Sequence, residues 1–280
     1  MGYSPMTPGT LYIVSTPIGN LEDITLRALR ILKEADVIAA EDTRHTQKLL
    51  SKYDIHTPLT SYHDHNKEEK GPVLVSRLLE GKNVALVSDA GTPGISDPGY
   101  FLINLAVDQQ IPVVPIPGAT AAIAALSVSG LPTDSFVFEG FLPGKHQARL
   151  KRLELLKPET RTLVLYEAPH RIHQALEDML SVLGDRKAVV MRELTKIHEQ
   201  ALRGTLSSIR EQLRTGSDKG EFTLVVHGKT DEPAQQDIDI AEHLKNLMLH
   251  RGMTKKEAIA AATEELGLPK KEIYKESLKL

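Results

Sequence analysis

The chain has 280 residues, 41% of them hydrophobic and 25% charged, with a formal net charge of −3. That balance belongs to a globular protein long enough for two domains and a smaller appendage, and it excludes a uniformly basic surface. Cysteine and tryptophan are absent, which removes disulfides, thiolate nucleophiles and cysteine zinc sites, and with them a broad base-stacking platform.

The longest apolar stretch, residues 119–128, is too short to span a bilayer. The first eight residues lack the basic-then-apolar pattern of a secretory signal, so a cytoplasmic protein without membrane attachment is expected. In chain order, residues 10–14 read as a strand that runs into the Pro/Gly loop Ser15-Thr-Pro-Ile-Gly-Asn20. A helix with Ile24, Ala28, Ile31, Leu32 and Ala35 at helical spacing follows, then a strand at 36–40 and the polar turn Glu41-Asp-Thr-Arg44. Residues 45–53 read as a short helix, 59–62 as a strand, 66–70 as a charged, solvated stretch and 73–79 as a helix.

The strand at 84–87 opens into Ser88-Asp-Ala-Gly-Thr-Pro-Gly-Ile-Ser-Asp-Pro-Gly99, with three glycines, two prolines and two aspartates. No packing requirement explains that composition. Glycine lets backbone approach a ligand closely, and proline stiffens the loop that does so. Asp97 before Pro98 reads as the N-cap of the next helix. A strand at 111–116 then ends in Pro117-Gly-Ala-Thr-Ala121 and a helix of small residues at 121–129. Strand and helix alternate, so the N-terminal domain, residues 1–130, is expected to hold a parallel sheet with its ligand loops at the strand ends.

A linker at 130–134 leads to a second α/β domain, 131–232, with an expected mixed sheet. It has strands at 135–139, 162–166, 188–191 and 220–226, a basic helix at 145–157 and a helix from 171 to about 183. From 237 to 280 only helices follow, in a helix-turn-helix-like order with eight basic and eight acidic residues, which favours a structural or docking role over an electrostatic one.

Neither G-x-G-x-x-G nor G-x-x-x-x-G-K-[ST] occurs, and the loops bring no lysine for phosphate; this suits a nucleoside with a small charged tail better than a triphosphate. His63 and His65 would share a strand face, as a chelate requires, but read as part of a polar turn, and no metal is expected. Glu41, Asp42, Glu167, His170 and Glu193 stand at strand ends as proton acceptors among which the sequence does not choose, and ion pairing competes with that role.

Six motifs together resemble the tetrapyrrole (corrin/porphyrin) methylases: residues 15–25, Ala40-Glu-Asp-Thr-Arg44, 88–99, Pro117-Gly-Ala-Thr120, Tyr166-Glu-Ala-Pro-His-Arg171 and Arg192-Glu-Leu-Thr-Lys196. Within that fold they are most similar to the branch that methylates the ribose 2′-hydroxyl of a decoding-region cytidine in 16S rRNA. The resemblance implies S-adenosyl-L-methionine as cofactor, 16S rRNA or the assembled small subunit as partner, and a homodimer. It places the cofactor near Pro17, Gly19, Asp89, Gly94, Ile95, Ser96, Asp97, Ala119 and Thr120. From the second domain it adds Glu139, Gly140, Phe141, Tyr166, Glu193 and Leu194. Arg44, Lys145, Arg149, Arg171, Arg192 and Lys196 are the expected phosphate contacts. A tetrapyrrole methylase of the same fold and a non-enzymatic nucleic-acid-binding protein remain alternatives.

Overall fold

A computed structural model describes residues 7–214, 219–230, 240–266 and 270–278. They divide into two compact units, Met1–Lys229 and Thr230–Leu280; the expected break between 232 and 237 lies outside the described residues. In the first unit, β1 (Leu11–Val14), β2 (Val37–Ala40), β3 (Leu59–Ser61), β4 (Val84–Val87) and β5 (Val113–Ile116) form a wholly parallel sheet in the order β3-β2-β4-β1-β5. Alternation along each strand separates two apolar faces. Leu11 and Ile13 pack with α3 (Lys67–Leu79) and α4 (Tyr100–Asp108), whereas Val14, Ala40 and Val87 pack with α1 (Leu26–Glu34) and α2 (Thr43–Lys52). Because every strand runs the same way, the loops at 15–20, 41–42, 88–99 and 117–120 emerge along one edge.

The helix of small residues, α5 (Ala121–Ser129), leaves this sheet and lies on a second one, where Ala122, Ala125 and Leu126 meet Val164, Val189, Met191 and Val225. That sheet runs β6-β7-β10-β8-β9, from β6 (Phe136–Phe141), β7 (Thr162–Glu167), β8 (Lys187–Arg192), β9 (Gln200–Thr205) and β10 (Phe222–Val226). Only β6 and β7 pair in parallel, so the sheet is mixed as expected. Its other face is covered by α6 (His146–Leu156), α7 (Ile172–Leu183) and α8 (Leu206–Arg214). The second sheet also caps α5 at both ends. Tyr166 Oη accepts the Ala122 N–H at 3.1 Å, while Arg203 donates to the carbonyls of Ser129 and Val128 at 2.9 and 2.7 Å. Terminal helix groups that would otherwise lack partners are thereby satisfied.

The second unit holds α9 (Ile240–His250), α10 (Lys255–Leu266) and α11 (Lys270–Ser277) around Leu244, Leu247, Ala258, Ile259, Ala262 and Ile273.

Three expectations change. Residues 67–70 are not a solvated connector but the first turn of α3, because Asn66 accepts the Glu69 and Lys70 N–H groups on its carbonyl and Glu68 and Glu69 suit the helix dipole. Asp97 does not cap α4; Gly99 occupies that position, and the Asp97 carboxyl turns to the Ser88 hydroxyl instead. The stretch 200–214, for which the sequence suggested no element, forms edge strand β9 and α8. In β9 only Leu202 faces the core, so the period-two signal of a half-buried strand is too short to read.

Candidate functional site

The two sheets of the first unit enclose a cavity of about 280 Å³ at their adjoining edges. The parallel sheet contributes Ile18, residues 90–92 and 95–97, and Thr120 with Ala121 at the start of α5; the mixed sheet contributes Phe141, residues 166–169, Leu194 and residues 221–223. The wall is shaped by left-handed backbone. Gly91, Gly94, Ser96 and Gly140 have φ of 82°, 85°, 64° and 69°, and Thr195 beside Leu194 has 66°. Non-glycine residues held at positive φ store strain that the surrounding packing must over-determine.

A short bridge fixes the first wall. Thr16 and Gly91 exchange backbone hydrogen bonds of 2.8 and 3.1 Å, and Ser15 Oγ lies 2.8 Å from Thr92 Oγ1. The neighbouring loops lock reciprocally, with Asp42 N–H donating to Asp89 Oδ1 at 2.9 Å and Asp89 N–H to Glu41 Oε2 at 3.4 Å. Across the cavity, Phe138 and Phe141 pack on Tyr166 at ring-centroid distances of 5.1 and 5.6 Å. Gly140 admits Ser96, whose Oγ would lie 2.9 Å from an added Cβ.

Gly19 belongs to the closure of the two halves, not to the cavity wall. A Cβ there would sit 2.5 Å from Lys196 Cγ, 2.8 Å from Thr195 Oγ1 and 3.0 Å from the Leu194 carbonyl oxygen. Asn20 N–H, one residue on, donates to Thr195 Oγ1 at 3.1 Å. Gly19→Ala is therefore expected to cost about 1–3 kcal/mol of unfolding free energy from overpacking, read by urea denaturation. A loss under 0.5 kcal/mol would mean that the two loops can part.

Among the described residues the lining carries three carboxylates, Asp97, Glu167 and Glu221, and no lysine, arginine or histidine. Burial pushes the Asp97 carboxyl up to about 7, reinforced by the charges of Glu41 and Asp89 and partly offset by the Ser88 hydroxyl. Burial likewise raises Glu41, against the hydrogen bond from the Asp89 amide. Glu167 is buried, with Oε1 bound by Arg171 Nε at 2.8 Å and by the Ala168 N–H, and with Oε2 lacking a partner among the described residues.

The other expected proton acceptors fare differently. Asp42 is held far below the ordinary carboxylate range by the Arg44 side chain and amide, at the mouth of α2. Burial alone would raise Glu193, but Lys196 Nζ at 2.9 Å and the Glu221 N–H at 2.9 Å outweigh it and keep it ionised. His170 is exposed and does not line the cavity.

Of the expected cofactor contacts, Ile95, Ser96, Asp97, Thr120, Phe141, Tyr166 and Leu194 line the cavity. Pro17 and Asp89 instead border a second, much smaller hollow beside α2. Gly94 stands directly before the lining, and the Ala119 carbonyl accepts from Thr92 Oγ1 at 3.4 Å. Glu139 sits at the β6 irregularity with its carboxylate bound to Arg152, so its side chain is already engaged.

The expected phosphate contacts need the largest correction. Arg149 is 3% exposed and forms a buried pair with Asp178, Nε to Oδ2 at 2.6 Å, with further bonds to the Gly144 and Pro143 carbonyls. Arg171 holds Glu167 and the Leu142 carbonyl; Arg192 donates to the Lys219 carbonyl; Lys196 bridges Glu193 and Glu221. Arg44 is exposed, though paired with Asp42. Lys145, exposed at the start of α6, has no ion-pair partner among the described residues.

The sequence missed Ile18, Ala168, Pro169 and the β10 end, Glu221 to Thr223, as wall residues. Gly91 and Thr92 lay within the singled-out loop, but an apolar strand such as β10 offers no local sign that one end opens on a cavity.

Residues 10–210 match the family described as Tetrapyrrole (Corrin/Porphyrin) Methylases. The chain is 51% identical over 271 residues to the ribosomal RNA small subunit methyltransferase I of Halalkalibacterium halodurans, covering 95% of this chain and 93% of that protein. The namesake of Synechocystis is 50% identical over 97% of this chain and 98% of its own length. Among solved structures, a cobalt precorrin-4 methyltransferase superposes with TM-score 0.60 at 21% identity, covering 78% of this chain and 94% of that one. A uroporphyrin-III C-methyltransferase from Thermus thermophilus, complexed with S-adenosyl homocysteine, gives 0.55 at 20% identity, over 78% of this chain and 97% of that one. At these identities the two structures speak to the fold alone.

Proposed function

Since this chain belongs to the tetrapyrrole (corrin/porphyrin) methylase family, we propose that it is an S-adenosyl-L-methionine-dependent methyltransferase of small-subunit ribosomal RNA. Its target on this reading is the ribose 2′-hydroxyl of a cytidine in the decoding region of 16S rRNA, in the cytoplasm and as a homodimer. Residues 1–130 and 131–232 act as two domains around one cavity, with 237–280 as an appended module.

The observation that carries the reading is the cavity's makeup. Its volume of about 280 Å³ is near the lower end of the usual range for small-molecule clefts, roughly 300 Å³ and above. It presents backbone, hydroxyls and three carboxylates and, among the described residues, no cation. A nucleoside bearing a sulfonium and an ammonium fits that electrostatic setting; a nucleotide phosphate does not. The RNA substrate is supported by the near-50% identity to proteins named for it.

When bound, the cofactor supplies an activated methyl group, so the chain's work is alignment, exclusion of water and proton removal. Residues 90–92, 95–97 and 120–121 would hold it from one side, with Leu194, Phe141 and Tyr166 closing the other. Among the lining carboxylates, Asp97 has a proton affinity matched to accepting a hydroxyl proton near neutral pH. Burial keeps that affinity high, and the charge of Glu41 adds to it.

The test is incubation with methyl-labelled S-adenosylmethionine and either small ribosomal subunits or uroporphyrinogen. Label recovered in a nuclease-resistant 2′-O-methyl dinucleotide is the expected result. Label in the tetrapyrrole, or none in RNA, would overturn the assignment.

A further inference from the structure

Helix α6 offers RNA less charge than its sequence suggests. Of its five flanking and internal cations, Arg149, Arg152 and Lys157 are paired with Asp178, Glu139 and Glu154. The second unit shows the reverse. Two of its acidic side chains turn to internal work: Glu257 accepts the Thr254 N–H and hydroxyl at 2.8 and 2.7 Å, and Glu265 joins Arg251 and His243 at 2.7 and 3.2 Å. No ion pair joins Lys270, Lys271 or Lys275 of α11 to any described residue, and all three are exposed.

At about 100° per residue, Lys270, Tyr274, Lys271 and Lys275 fall within roughly 140° of the α11 circumference. Ile273 and Ser277, fully buried, lie outside that arc. Tyr274 is 55% exposed, between the lysines. Lys270 and Lys271 also stand in the first turn, where cations oppose the helix dipole. Only Lys275, in the last turn, suits the dipole. A polyanion with stackable bases would gain both from the charges and from the ring.

Resting on the proposed RNA substrate, we infer that the Lys270–Lys271–Tyr274–Lys275 face of α11 is a docking surface for single-stranded or looped ribosomal RNA. A second copy of the chain is a poor occupant, because two such faces would bring six lysines together.

The test compares the full-length protein with a Lys270→Gln, Lys271→Gln, Lys275→Gln triple variant and with Tyr274→Ala, using a 16S rRNA transcript and small ribosomal subunits as probes. Filter binding across a salt series should show the triple variant weakened about tenfold to a hundredfold, with a salt slope shallower by about two. Tyr274→Ala should weaken binding about tenfold with the slope unchanged. Cofactor affinity and helical circular dichroism should match the wild type. RNA affinity within twofold of wild type for both variants overturns the inference, as does a change confined to the sedimentation coefficient. Loss of methyl transfer by the wild type itself would sink the substrate assignment separately, since the binding comparison does not require turnover.

Discussion

Asp97→Asn is expected to slow methyl transfer by about a hundredfold at pH 8, the usual scale of a lost general base. The deficit should shrink as pH falls. The wild-type carboxyl, raised to about 7, becomes protonated below neutrality and stops accepting protons, so its rate drops toward that of the variant. Single-turnover rates between pH 6 and 9 read this directly: a rising wild-type limb centred near 7, and a flat line for Asp97→Asn. Parallel profiles would remove Asp97 from the chemistry.

The same substitution should stabilise the fold at high pH. In the unfolded chain Asp97 ionises near its ordinary value, close to 4, whereas in the folded protein it keeps its proton up to about 7. The folded state therefore binds more protons between those limits, and stability falls as pH rises through them. Above pH 7 the full penalty is present, about 2 kcal/mol after allowance for solvent screening. Asp97→Asn should raise the melting temperature at pH 8 and leave it nearly unchanged at pH 4. A site that holds an unfavourable charge for use, and not for stability, behaves in this way.

Arg149→Ala is expected to be the most destabilising of the arginine substitutions, by about 3–5 kcal/mol, because it strands the Asp178 carboxylate inside the protein. Asp178 is 4% exposed, and its remaining partner, His146 at 3.2 Å, is itself half exposed. Replacing both members, Arg149→Met with Asp178→Leu, should recover most of the loss, since an apolar pair of similar volume removes the uncompensated charge. Urea denaturation of the two single variants and the double variant measures the coupling. If Arg149→Ala left stability within 0.5 kcal/mol of wild type and weakened only RNA binding, Arg149 would face the substrate after all.

These two residues also mark how far reading the sequence could go. Loop composition at 15–20, 88–99 and 117–120 pointed to a ligand edge, and the alternation of strands and helices placed those loops together. Seven of the expected cofactor contacts line the cavity as a result. The same local reading gave Asp97 a capping role that Gly99 holds, and it gave Arg149 a phosphate that Asp178 displaces. Asp178 lies 29 residues away in the chain, beyond the reach of any spacing rule. Along the tail eight basic residues balance eight acidic ones, so net charge alone says nothing of how the exposed lysines of α11 are placed.

By itself, then, the sequence determined what depends on neighbours along the chain. Period-two and period-3.6 patterns set the elements, glycine and proline set the loops that end the parallel strands, and the ordered motifs set the family. The tertiary structure decided which charges are available. A carboxylate's proton affinity and an arginine's freedom depend on burial and on partners brought from distant segments, and only packing fixes those. Hence the Asp97 carboxyl holds its proton up to about 7, Arg149 is part of the core, and Lys270, Lys271 and Lys275 of α11 stand exposed.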